Sequence, residues 1–454
     1  MAEIKDIFRA YDIRGNTEEK LTPEVMKKIG KAFGTFIIKK DHKKVVVGHD
    51  ARNTSIKLKK AFIEGLKSTK VKRIVDLGLE PFGTVLYYGW KRGFETAYIT
   101  ASHLPPMWNG VKFYHSDGVG YLEEENNQIR DIFIEESFEE GEEAKVLKED
   151  IRDEYIEYVV KNVEEGDLDV LIDCGNGVAG LTAPEILDKL GFNVDVLHGK
   201  PDGDFPNRES DVNEDSISKM LDKVDEYDIG IAYDGDSDRC FIITNNGKLL
   251  RADETAYLVL DKLLEDKNGD VVANVECSRR IEDVAEKHDS NVERVRVGHT
   301  YLFKAIKENE ALFGVERAGH FAVPQIFPLD DGVAASVLFA SKISDFEDIE
   351  EELDDMPEYF GDRIPFKCPD SDKFEVVEKV KDKLLKEYED TSTVDGVRVE
   401  LENGWVLIRA SNTSPKIRIT MEAETEKDYK EIKSEFSRKL EETIEEVVGN
   451  RDER

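Results

Sequence analysis

Short apolar runs, each followed by a glycine or polar turn and then by a helical pattern, recur along most of the chain. They open at KKVVVGHDARNTS (43–55), LDVLIDCGNGVAG (168–180) and GDVVANVECSRR (269–280), with helices predicted near 56–68 and 181–190. Apolar strands that alternate with helices are typical of largely parallel sheets buried between helical layers. The three openings resemble one another, which predicts three copies of one α/β unit.

The last quarter of the chain departs from this pattern. Helices are predicted at 370–388 and 426–447, with strands near 394–401, 404–409 and 416–422 between them. A run of strands between two helices, without the earlier alternation, is typical of a compact α+β unit. The C-terminal part is therefore expected to differ from the three units before it.

Two charged segments interrupt the apolar pattern. Residues 123–154 are dominated by Glu, Asp and Lys, which predicts a surface excursion or a boundary after a first domain. A second acidic stretch at 344–358 is followed by GDRIPFKCPD, which predicts a hinge near 360–370. We therefore expect the last unit to move relative to the rest of the molecule.

Charge and composition narrow the range of partners. The 454 residues include 99 acidic and 64 basic side chains, a formal charge of −35, so neither nucleic acid nor an anionic membrane is expected as a general partner. The length suggests two to four domains. No apolar run approaches the roughly 18 residues of a membrane span, and the four cysteines form no C-x-x-C pair. We predict a cytoplasmic protein in a reducing compartment; its acidity fits ordinary solubility or adaptation to high salt.

Three carboxylates alternate in the turn DGDSDR (234–239), directly after an apolar strand and before the apolar CFII. Carboxylates packed into one rigid turn repel each other, and a hard divalent cation with oxygen ligands relieves that repulsion. An EF-hand calcium loop is excluded, because Arg239 and Asn245 stand where its Gly and Glu are required. A solvated acidic turn remains the alternative.

A second candidate is the loop TASHLPP (100–106), which follows the strand FETAYIT. The proline pair stiffens the chain, so the Ser102 hydroxyl is held on a rigid backbone, as suits a nucleophile or a phosphate carrier. Adjacent side chains point apart in an extended chain, so no direct contact between Ser102 and His103 is expected. A capping serine in a structural turn is the alternative, and a nucleophile elbow is excluded because G-x-S-x-G is absent.

Two further loops carry groups that suit a phosphosugar. RASNTSPK (409–416), with Arg418 beyond it, places two arginines beside hydroxyl and amide donors, as recognition of a phosphate dianion requires. GVERAGHF (314–321) offers Glu316 and His320 near glycines, where a sugar can approach the backbone and a carboxylate can accept from two hydroxyls. A polar hairpin tip and an ordinary surface loop are the respective alternatives.

These motifs and FRAYDIRG (8–15) occur in the order and spacing of the α-D-phosphohexomutases, the phosphomannomutase/phosphoglucomutase superfamily, which the chain resembles over nearly its whole length. The resemblance implies an α/β fold of four domains around a central cleft: three similar mixed α/β domains and a smaller C-terminal α+β domain. The domains would carry, in order, a phosphoserine loop, a magnesium loop, a sugar-recognition loop and a phosphate-binding loop. Their expected limits are 1–150, 151–250, 251–362 and 363–454.

The resemblance also implies a role for each motif. The catalytic candidates are Ser102, which would carry a phosphate, and His103, Lys112 and Arg14. The ligands of a Mg²⁺ ion would be Ser102, Asp234, Asp236 and Asp238. The implied substrate-binding residues are Arg239, His299, Glu316, His320, Arg409, Ser411, Asn412, Thr413 and Arg418.

The implied reaction is reversible phosphoryl transfer between the 1- and 6-positions of a hexose phosphate, of mannose and/or glucose. It would proceed through phosphoserine and a hexose 1,6-bisphosphate that serves as intermediate and activator. The expected partners are Mg²⁺ and a small phosphosugar, bound by a monomer or homodimer.

Three departures from the family pattern keep other functions open. Leu104 and Met107 replace polar residues, Ser414 stands where Glu is common, and Ala318 stands where the sugar loop usually has Ser. Losing that hydroxyl typically costs about 0.5–1.5 kcal/mol of binding. The alternatives are a phosphoglucosamine mutase or phosphopentomutase, a Mg²⁺-dependent phosphatase with an aspartyl nucleophile, and an inactive sugar-phosphate-binding protein.

Overall fold

Four β-sheets follow one another along the chain, each with its own helices. The structure is a computed structural model that describes residues 6–141, 144–346, 349–411 and 415–449. Within these residues the first three sheets are mixed and the fourth is antiparallel. The predicted α/β class, with three similar units and a distinct C-terminal unit, is confirmed, whereas the exact domain limits stay predictions.

The first sheet has six strands. Its strands are β1 (Asp12–Asn16), β2 (Lys44–His49), β3 (Arg73–Leu79), β4 (Glu95–Ile99), β5 (Trp108–Tyr114) and β6 (Lys145–Lys148), and its helices are α1 (Pro23–Lys39), α2 (Ser55–Lys67), α3 (Phe82–Arg92) and α4 (Glu123–Glu135). The strand order is β1-β5-β4-β2-β3-β6. The central valines Val45, Val46 and Val47 are completely buried, because helices cover both faces of the sheet.

The second and third sheets have four strands each. The second unit contains α5 (Arg152–Lys161), β7 (Asp169–Asp173), α6 (Ala183–Lys189), β8 (Asn193–Leu197), α7 (Ser218–Leu221), β9 (Ile229–Tyr233) and β10 (Cys240–Thr244). The third contains α8 (Ala252–Asp266), β11 (Val271–Asn274), α9 (Arg280–Lys287), β12 (Val292–Val295), α10 (His299–Asn309), β13 (Phe313–Val315), β14 (Phe321–Ala322), α11 (Gly332–Ile343) and α12 (Ile349–Asp354). Short 3₁₀ turns at Ala179–Leu181 and Val224–Glu226 complete the second unit.

The three units share one strand topology. In each, four consecutive strands are arranged in the order second, first, third, fourth: β3-β2-β4-β5, β8-β7-β9-β10 and β12-β11-β13-β14. The first three strands run parallel and the fourth is antiparallel to the third. The three predicted copies are therefore real at the level of topology, although no residue-level repeat is visible.

The fourth sheet includes most of the segment near 360–370 in which a hinge is predicted, and the hinge stays a prediction. Its elements are β15 (Phe360–Lys367), α13 (Lys373–Glu387), β16 (Thr391–Ser392), β17 (Val397–Leu401), β18 (Gly404–Ala410), β19 (Lys416–Ala423), α14 (Glu426–Ile444) and a π-helical turn (Glu445–Gly449). The segment expected to be a hinge is mostly the edge strand β15, which pairs with β19 along its whole length. Ile364 and Phe366 pack against the core of this unit and hold the strand in place.

The acidic segment 123–154 is also more ordered than predicted. Its first part forms α4, whose Asn126, Ile129, Ile132 and Phe133 are buried at helical spacing. Polar and charged residues other than glutamate occupy the positions between them, and glutamates lie before and after, so the apolar face consists of few residues. Among the described helices, none combines the length and apolar character that crossing a membrane requires.

Candidate active site

A cleft of about 680 Å³ lies where the four units meet, and all four contribute side chains to it. Its lining is rich in cations although the chain carries a charge of −35. The basic residues that line it are Arg9, Arg14, Lys112, Arg239, Arg363, Arg409 and Arg418. The acidic residues that line it are Asp12, Asp211, Asp238, Glu276 and Glu316. Basic side chains thus outnumber acidic ones by two in the cleft, against a deficit of 35 in the whole chain, which favours the cleft over the rest of the surface for small anions.

The three candidate loops occupy the same place in the three repeated units. Residues 100–107 connect β4 to β5, residues 234–239 connect β9 to β10, and residues 316–320 connect β13 to β14. Each loop thus follows the third strand of its unit, at the carboxyl edge of the sheet, where α/β folds place their ligands. The shared topology brings three sequence motifs, of which the first and last are more than 200 residues apart, into one cleft.

Ser102 lies at the bottom of the cleft in a left-handed conformation, with φ of 51°. Its backbone N–H donates to Thr100 Oγ1 at 2.8 Å, and its hydroxyl donates to Asp234 Oδ2 at 2.7 Å. Ser102 Oγ also lies 3.2 Å from His103 Nδ1, so the expectation of no Ser–His contact is wrong. That expectation assumed an extended chain, whereas the positive φ turns the two side chains toward each other.

Arg52, which sequence reasoning missed, holds the serine loop in shape. Its side chain is fully buried and pairs with Asp50 at 2.9 Å. The remaining guanidinium donors bond the backbone carbonyls of Ser102, Leu104, Pro105 and Trp108, at 2.6–3.0 Å. A planar guanidinium offers five donors in a fixed geometry, whereas a lysine ammonium offers three from a single atom. The only local signal is an Asp and an Arg two residues apart after β2.

The three aspartates of the second loop are fully buried, and their carboxylate oxygens lie within 4.8 Å of one another. Asp236 Oδ1 and Asp238 Oδ1 have no hydrogen-bond partner. Buried carboxylate oxygens without donors are costly unless something positive binds them. This donor set fits a divalent cation with oxygen ligands, and the Ser102 hydroxyl lies beside it at Asp234.

Neighbouring units fix the backbone of this aspartate loop. The N–H of Phe82, in α3 of the first unit, donates to the Asp236 carbonyl at 3.2 Å. The N–H of Gly332, in α11 of the third unit, donates to the Ser237 carbonyl at 3.1 Å. Ser237 itself has a φ of 61°, so the loop has the same left-handed kink as the serine loop.

Charge pairing sets the protonation of the aspartates. Burial raises the pKa of Asp234 to about 6, against the opposing effect of Arg239, and the other two aspartates raise it further. Burial would also raise the pKa of Asp236, but Lys112 outweighs it and holds that pKa well below its usual range. Burial and the charge of Asp236 raise the pKa of Asp238.

Lys112 and Arg239 are the cations that contact this cluster, Lys112 at Asp236 and Arg239 at Asp234, whereas Arg14 lies further out. Burial would lower the pKa of Lys112, but Asp236 and Asp238 raise it well above its ordinary value. Lys112 Nζ donates to Asp236 Oδ2 at 3.0 Å and also to Asp238. Arg14 Nε pairs with Asp12 at 2.5 Å at the edge of the cleft. Lys112 is therefore a charge partner of the aspartates, and Arg14 is a cation at the edge of the same cleft.

The His103 imidazole is neutral in this setting. Burial lowers its pKa well below the usual range, and the charges of Arg239 and Arg14 lower it further. Since the Ser102 hydroxyl donates to Asp234, a neutral ring protonated at Nδ1 can donate to Ser102 Oγ.

The third loop brings Glu316 and His320 into the cleft beside His299. Burial raises the pKa of Glu316 to about 7, and its Oε2 has no hydrogen-bond partner. Despite burial, Asp330 raises the pKa of His320 to about 9, through a contact of 3.0 Å. The rings of His320 and His299 stack at 5.0 Å. Gly319, with φ of 95°, allows the tight turn between Glu316 and His320.

The fourth unit contributes arginines from three adjacent strands. Arg409 on β18 lies directly opposite Arg418 on β19, and Arg363 on β15 reaches the same cleft. Burial and the charge of Arg363 lower the pKa of Arg418. Ser411 is buried beside them, with its N–H bonded to the Lys416 carbonyl at 2.9 Å. The predicted ligands Asn412 and Thr413 lie outside the described residues.

Four family models match successive parts of the chain. The models described as phosphoglucomutase/phosphomannomutase alpha/beta/alpha domains I, II and III match residues 5–140, 153–247 and 251–359, and the model of the C-terminal domain matches 364–439. The chain belongs to the phosphoglucomutase/phosphomannomutase family. These are sugar-phosphate mutases, and the predicted class of isomerase is confirmed.

Relatives of this family member match it from end to end. It is 35% identical to a probable phosphoglucosamine mutase of Methanopyrus kandleri, over 97% of this chain and 99% of that protein. It is 32% identical to a phosphoglucomutase/phosphomannomutase of Thermococcus kodakarensis, over 96% and 99%. A solved phosphoglucomutase/phosphomannomutase family protein of Burkholderia thailandensis is 25% identical, with a TM-score of 0.89 over 97% of this chain and 98% of that one.

The mutase cleft gathers most of the residues that the sequence predicts. Those lining it are Arg14, Ser102, His103, Lys112, Asp238, Arg239, His299, Glu316, His320, Arg409 and Arg418. Asp234 and Asp236 lie directly behind Ser102 and Lys112 and contact them. Sequence reasoning missed Arg52, Glu276 and Arg363, whose contacts join separate loops or separate domains.

Proposed function

We propose that this mutase interconverts a hexose 1-phosphate and a hexose 6-phosphate through a phosphate carried by Ser102. One observation supports this most directly: the Ser102 hydroxyl contacts an aspartate of the buried acidic triplet, in the same cleft that the arginines of the fourth unit line. A hexose phosphate carries a phosphate at one end and a free hydroxyl at the other. The cleft has Ser102 and the acidic triplet at one end and the arginines of the fourth unit at the other. No other cluster in the described residues combines these features.

The acidic triplet would hold a Mg²⁺ ion through Asp234, Asp236 and Asp238. When bound, Mg²⁺ neutralises the charge that spreads over the transferring phosphoryl oxygens. The two unpartnered carboxylate oxygens support this assignment, because they are buried and lack protein donors.

The transfer itself forms a bond between a sugar hydroxyl oxygen and phosphorus while the bond from phosphorus to Ser102 Oγ breaks. Phosphoryl transfer has a loose transition state, so it needs positioning and positive charge more than a strong base. Lys112 and Arg14 fit that need, since both are cations at the reacting end. The Arg52 clamp would keep Ser102 Oγ in line for the transfer.

The other end of the sugar would be held through its second phosphate. Arg409 and Arg418 would bind that phosphate, whereas Glu316, His320 and His299, which line the same cleft, would contact the sugar. Transfer to the free hydroxyl gives a hexose 1,6-bisphosphate, which must turn over in the cleft before its other phosphate returns to Ser102. A pocket that contacts the phosphate rather than the sugar can bind either phosphate of the hexose 1,6-bisphosphate, so it accepts the intermediate in both orientations.

The substrate is proposed as mannose and/or glucose phosphate, with glucosamine phosphate as the second candidate. The second candidate is favoured by the name of the Methanopyrus relative and by Ala318, which removes a hydroxyl from the sugar loop. The unpartnered Glu316 Oε2 can accept from a sugar hydroxyl or from an amine. Glucose, mannose, glucosamine and ribose 1-phosphates, assayed in parallel with Mg²⁺ and a hexose 1,6-bisphosphate, would rank the candidates.

Replacing Ser102 by Ala tests the proposal. We expect intact-mass analysis of the purified wild type to show a fraction one phosphate heavier, mapped to the peptide around residue 102. Ser102→Ala should lose both this fraction and mutase turnover by at least about a thousandfold, whereas Ser116→Ala, a serine outside the cleft lining, should retain both.

Two results would contradict it. Steady phosphate release that survives Ser102→Ala would indicate a phosphatase that uses an aspartate. Sugar-phosphate binding without turnover or phosphorylation in the wild type would indicate an inactive binding protein. The monomeric or homodimeric state and the cytoplasmic location stay predictions.

A further inference from the structure

Three arginines crowd one face of the C-terminal sheet. Arg409 and Arg418 are directly opposite each other on β18 and β19, and Arg363 lies opposite Thr420, two residues beyond Arg418 on β19. Residues opposite each other, or two apart along a strand, point to the same face. Like charges placed in this way destabilise a sheet unless an anion lies among them.

The anion that meets these arginines in the structure is Glu276, from the third unit. Both of its carboxylate oxygens accept from Arg363 Nη2, at 3.0 and 2.9 Å, and Oε1 lies 3.4 Å from Arg409 Nη1. Glu276 follows β11 and its side chain is only 3% exposed. A carboxylate from one unit thus spans the cleft to the candidate phosphate-binding arginines of another.

The two carboxylates near the three arginines do not neutralise their positive charge. Asp395 also pairs with Arg409, at 3.0 Å, and it accepts from the Val297 N–H, so it has a structural partner in the third unit. The guanidinium of Arg418 has no hydrogen-bond partner among the residues that the structure describes. Three arginines with Asp395 alone carry a net charge of +2, which matches a phosphate dianion, whereas Glu276 lowers the net charge to +1.

We propose that Glu276 competes with substrate for the phosphate-binding arginines: its carboxylate occupies the site of the non-transferred phosphate and leaves when that phosphate binds. The proposal rests on the proposed function, because it assigns the bound anion to the substrate. When the bisphosphorylated sugar turns over, its phosphate must leave these arginines. Glu276 would then take its place, so that three cations are never left together without an anion.

Glu276→Gln tests the competition because it retains the shape and removes the charge. In buffer without Mg²⁺ and at fixed ionic strength, we expect inorganic phosphate to bind this variant about tenfold more tightly than the wild type, measured by isothermal titration calorimetry. Adding Arg418→Ala to the variant should abolish the gain, which assigns it to this site. Equal or weaker phosphate binding by Glu276→Gln would overturn the proposal and would make Glu276 a positioning residue.

Glu400→Gln is the matched control. Glu400 pairs with Arg398, which bonds the Val275 carbonyl between the same two units, but it does not contact the phosphate-binding arginines. Its phosphate affinity should stay within about twofold of the wild type, since surface pairs contribute little. A gain equal to that of Glu276→Gln would show a general electrostatic effect and would overturn the proposal.

A crystal structure of the wild type with phosphate on Arg409 and Arg418 tests the same point without a variant. We expect the Glu276 carboxylate to lie outside hydrogen-bond distance of Arg363 and Arg409; its retention beside the bound phosphate would contradict the competition. Neither measurement uses turnover or the phosphate on Ser102. The phosphate-binding measurements can therefore contradict the competition while the mutase function stands. Loss of the mutase function would instead appear in turnover and in the phosphorylation of Ser102.

Discussion

At the scale of single residues, the reactive end of the cleft is built from side chains whose partners leave them little freedom. Ser102 has a left-handed backbone, its N–H donates to Thr100 Oγ1, and its carbonyl accepts from Arg52. Arg52 and Asp50 are both completely buried. Such a pair maintains backbone strain at a functional site, because the surrounding structure determines the conformation more strongly than the local chain does.

Removing Arg52 should therefore affect rate and stability together. Arg52→Met leaves four carbonyls and the Asp50 charge without their donor, so we expect the free energy of unfolding to fall by about 3–5 kcal/mol. Arg52→Lys should cost less stability but still lower kcat with little change in KM, since the substrate-binding residues are untouched. Urea unfolding and steady-state kinetics measure both effects.

Arg73→Met is the control for Arg52. Arg73 pairs with Glu149 on the same sheet, but both side chains are partly exposed, so the loss should stay below about 1 kcal/mol. Equal losses for the two variants would show that the clamp contributes nothing special.

At the scale of secondary-structure elements, the sequence predicts the fully buried strands and misses elements that bury only a few residues among charged ones. The strands that open the three units are continuous apolar runs, so their pattern identifies them. The edge strand β15 and helix α4 bury only a few residues among charged ones, and their pairing depends on distant partners. A local pattern carries no information about those partners.

The same reasoning explains what was predictable in the site. The serine, aspartate and sugar loops are contiguous motifs, so their residues could be named from the sequence. Arg52 acts on backbone carbonyls, and Glu276 contacts arginines about 90 and 130 residues further along the chain. Neither role depends on neighbours in sequence, so only the tertiary structure reveals them.

A helix N-terminus should give a measurable pH effect. Asp331 caps α11 by accepting from the N–H groups of Val333 and Ala334, and it accepts from Tyr155 OH at 2.6 Å. Burial raises its pKa to about 7, from about 3.9 in an unfolded chain. Between these values the folded protein keeps a proton that the unfolded chain has lost, so this group's contribution to stability falls as pH rises.

Asp331→Asn should remove that contribution, because the amide keeps the cap but does not titrate. Relative to the variant, the wild type should lose up to about 1.4 kcal/mol per pH unit between about pH 4 and pH 7. Urea midpoints at several pH values measure the difference. Asp188→Asn, at an exposed position of α6, should run parallel to the wild type; if Asp331→Asn also runs parallel, Asp331 is already ionised at low pH.

At the scale of the whole molecule, an acidic chain surrounds a basic cleft. Most of the −35 charge lies on the outer surface, whereas seven arginine and lysine side chains line the cleft at the junction of the four units. The buried acidic triplet is the exception at the reacting end. Its repulsion is only partly relieved by Lys112 and Arg239, so a bound divalent cation should stabilise the whole assembly.

Metal removal tests this at the same scale. Millimolar Mg²⁺ should raise the melting temperature of the wild type relative to a chelator, corresponding to about 2.7 kcal/mol when the ion is at a hundredfold its Kd. Asp236→Asn should lose most of the response. Asp188→Asn should retain it, and an equal response in both variants would place the bound ion elsewhere.

The two backbone hydrogen bonds from α3 and α11 to the aspartate loop have a further consequence. The six-residue loop 234–239, whose three aspartates would coordinate the metal, is held in its curvature by chain segments about 150 residues upstream and about 95 residues downstream. A proteolytic fragment carrying the second sheet alone would keep every carboxylate and lose both supports. Affinity for the ion is thus a property of correct assembly, and a chain whose outer domains have not docked would remain catalytically silent even with its full complement of ligands.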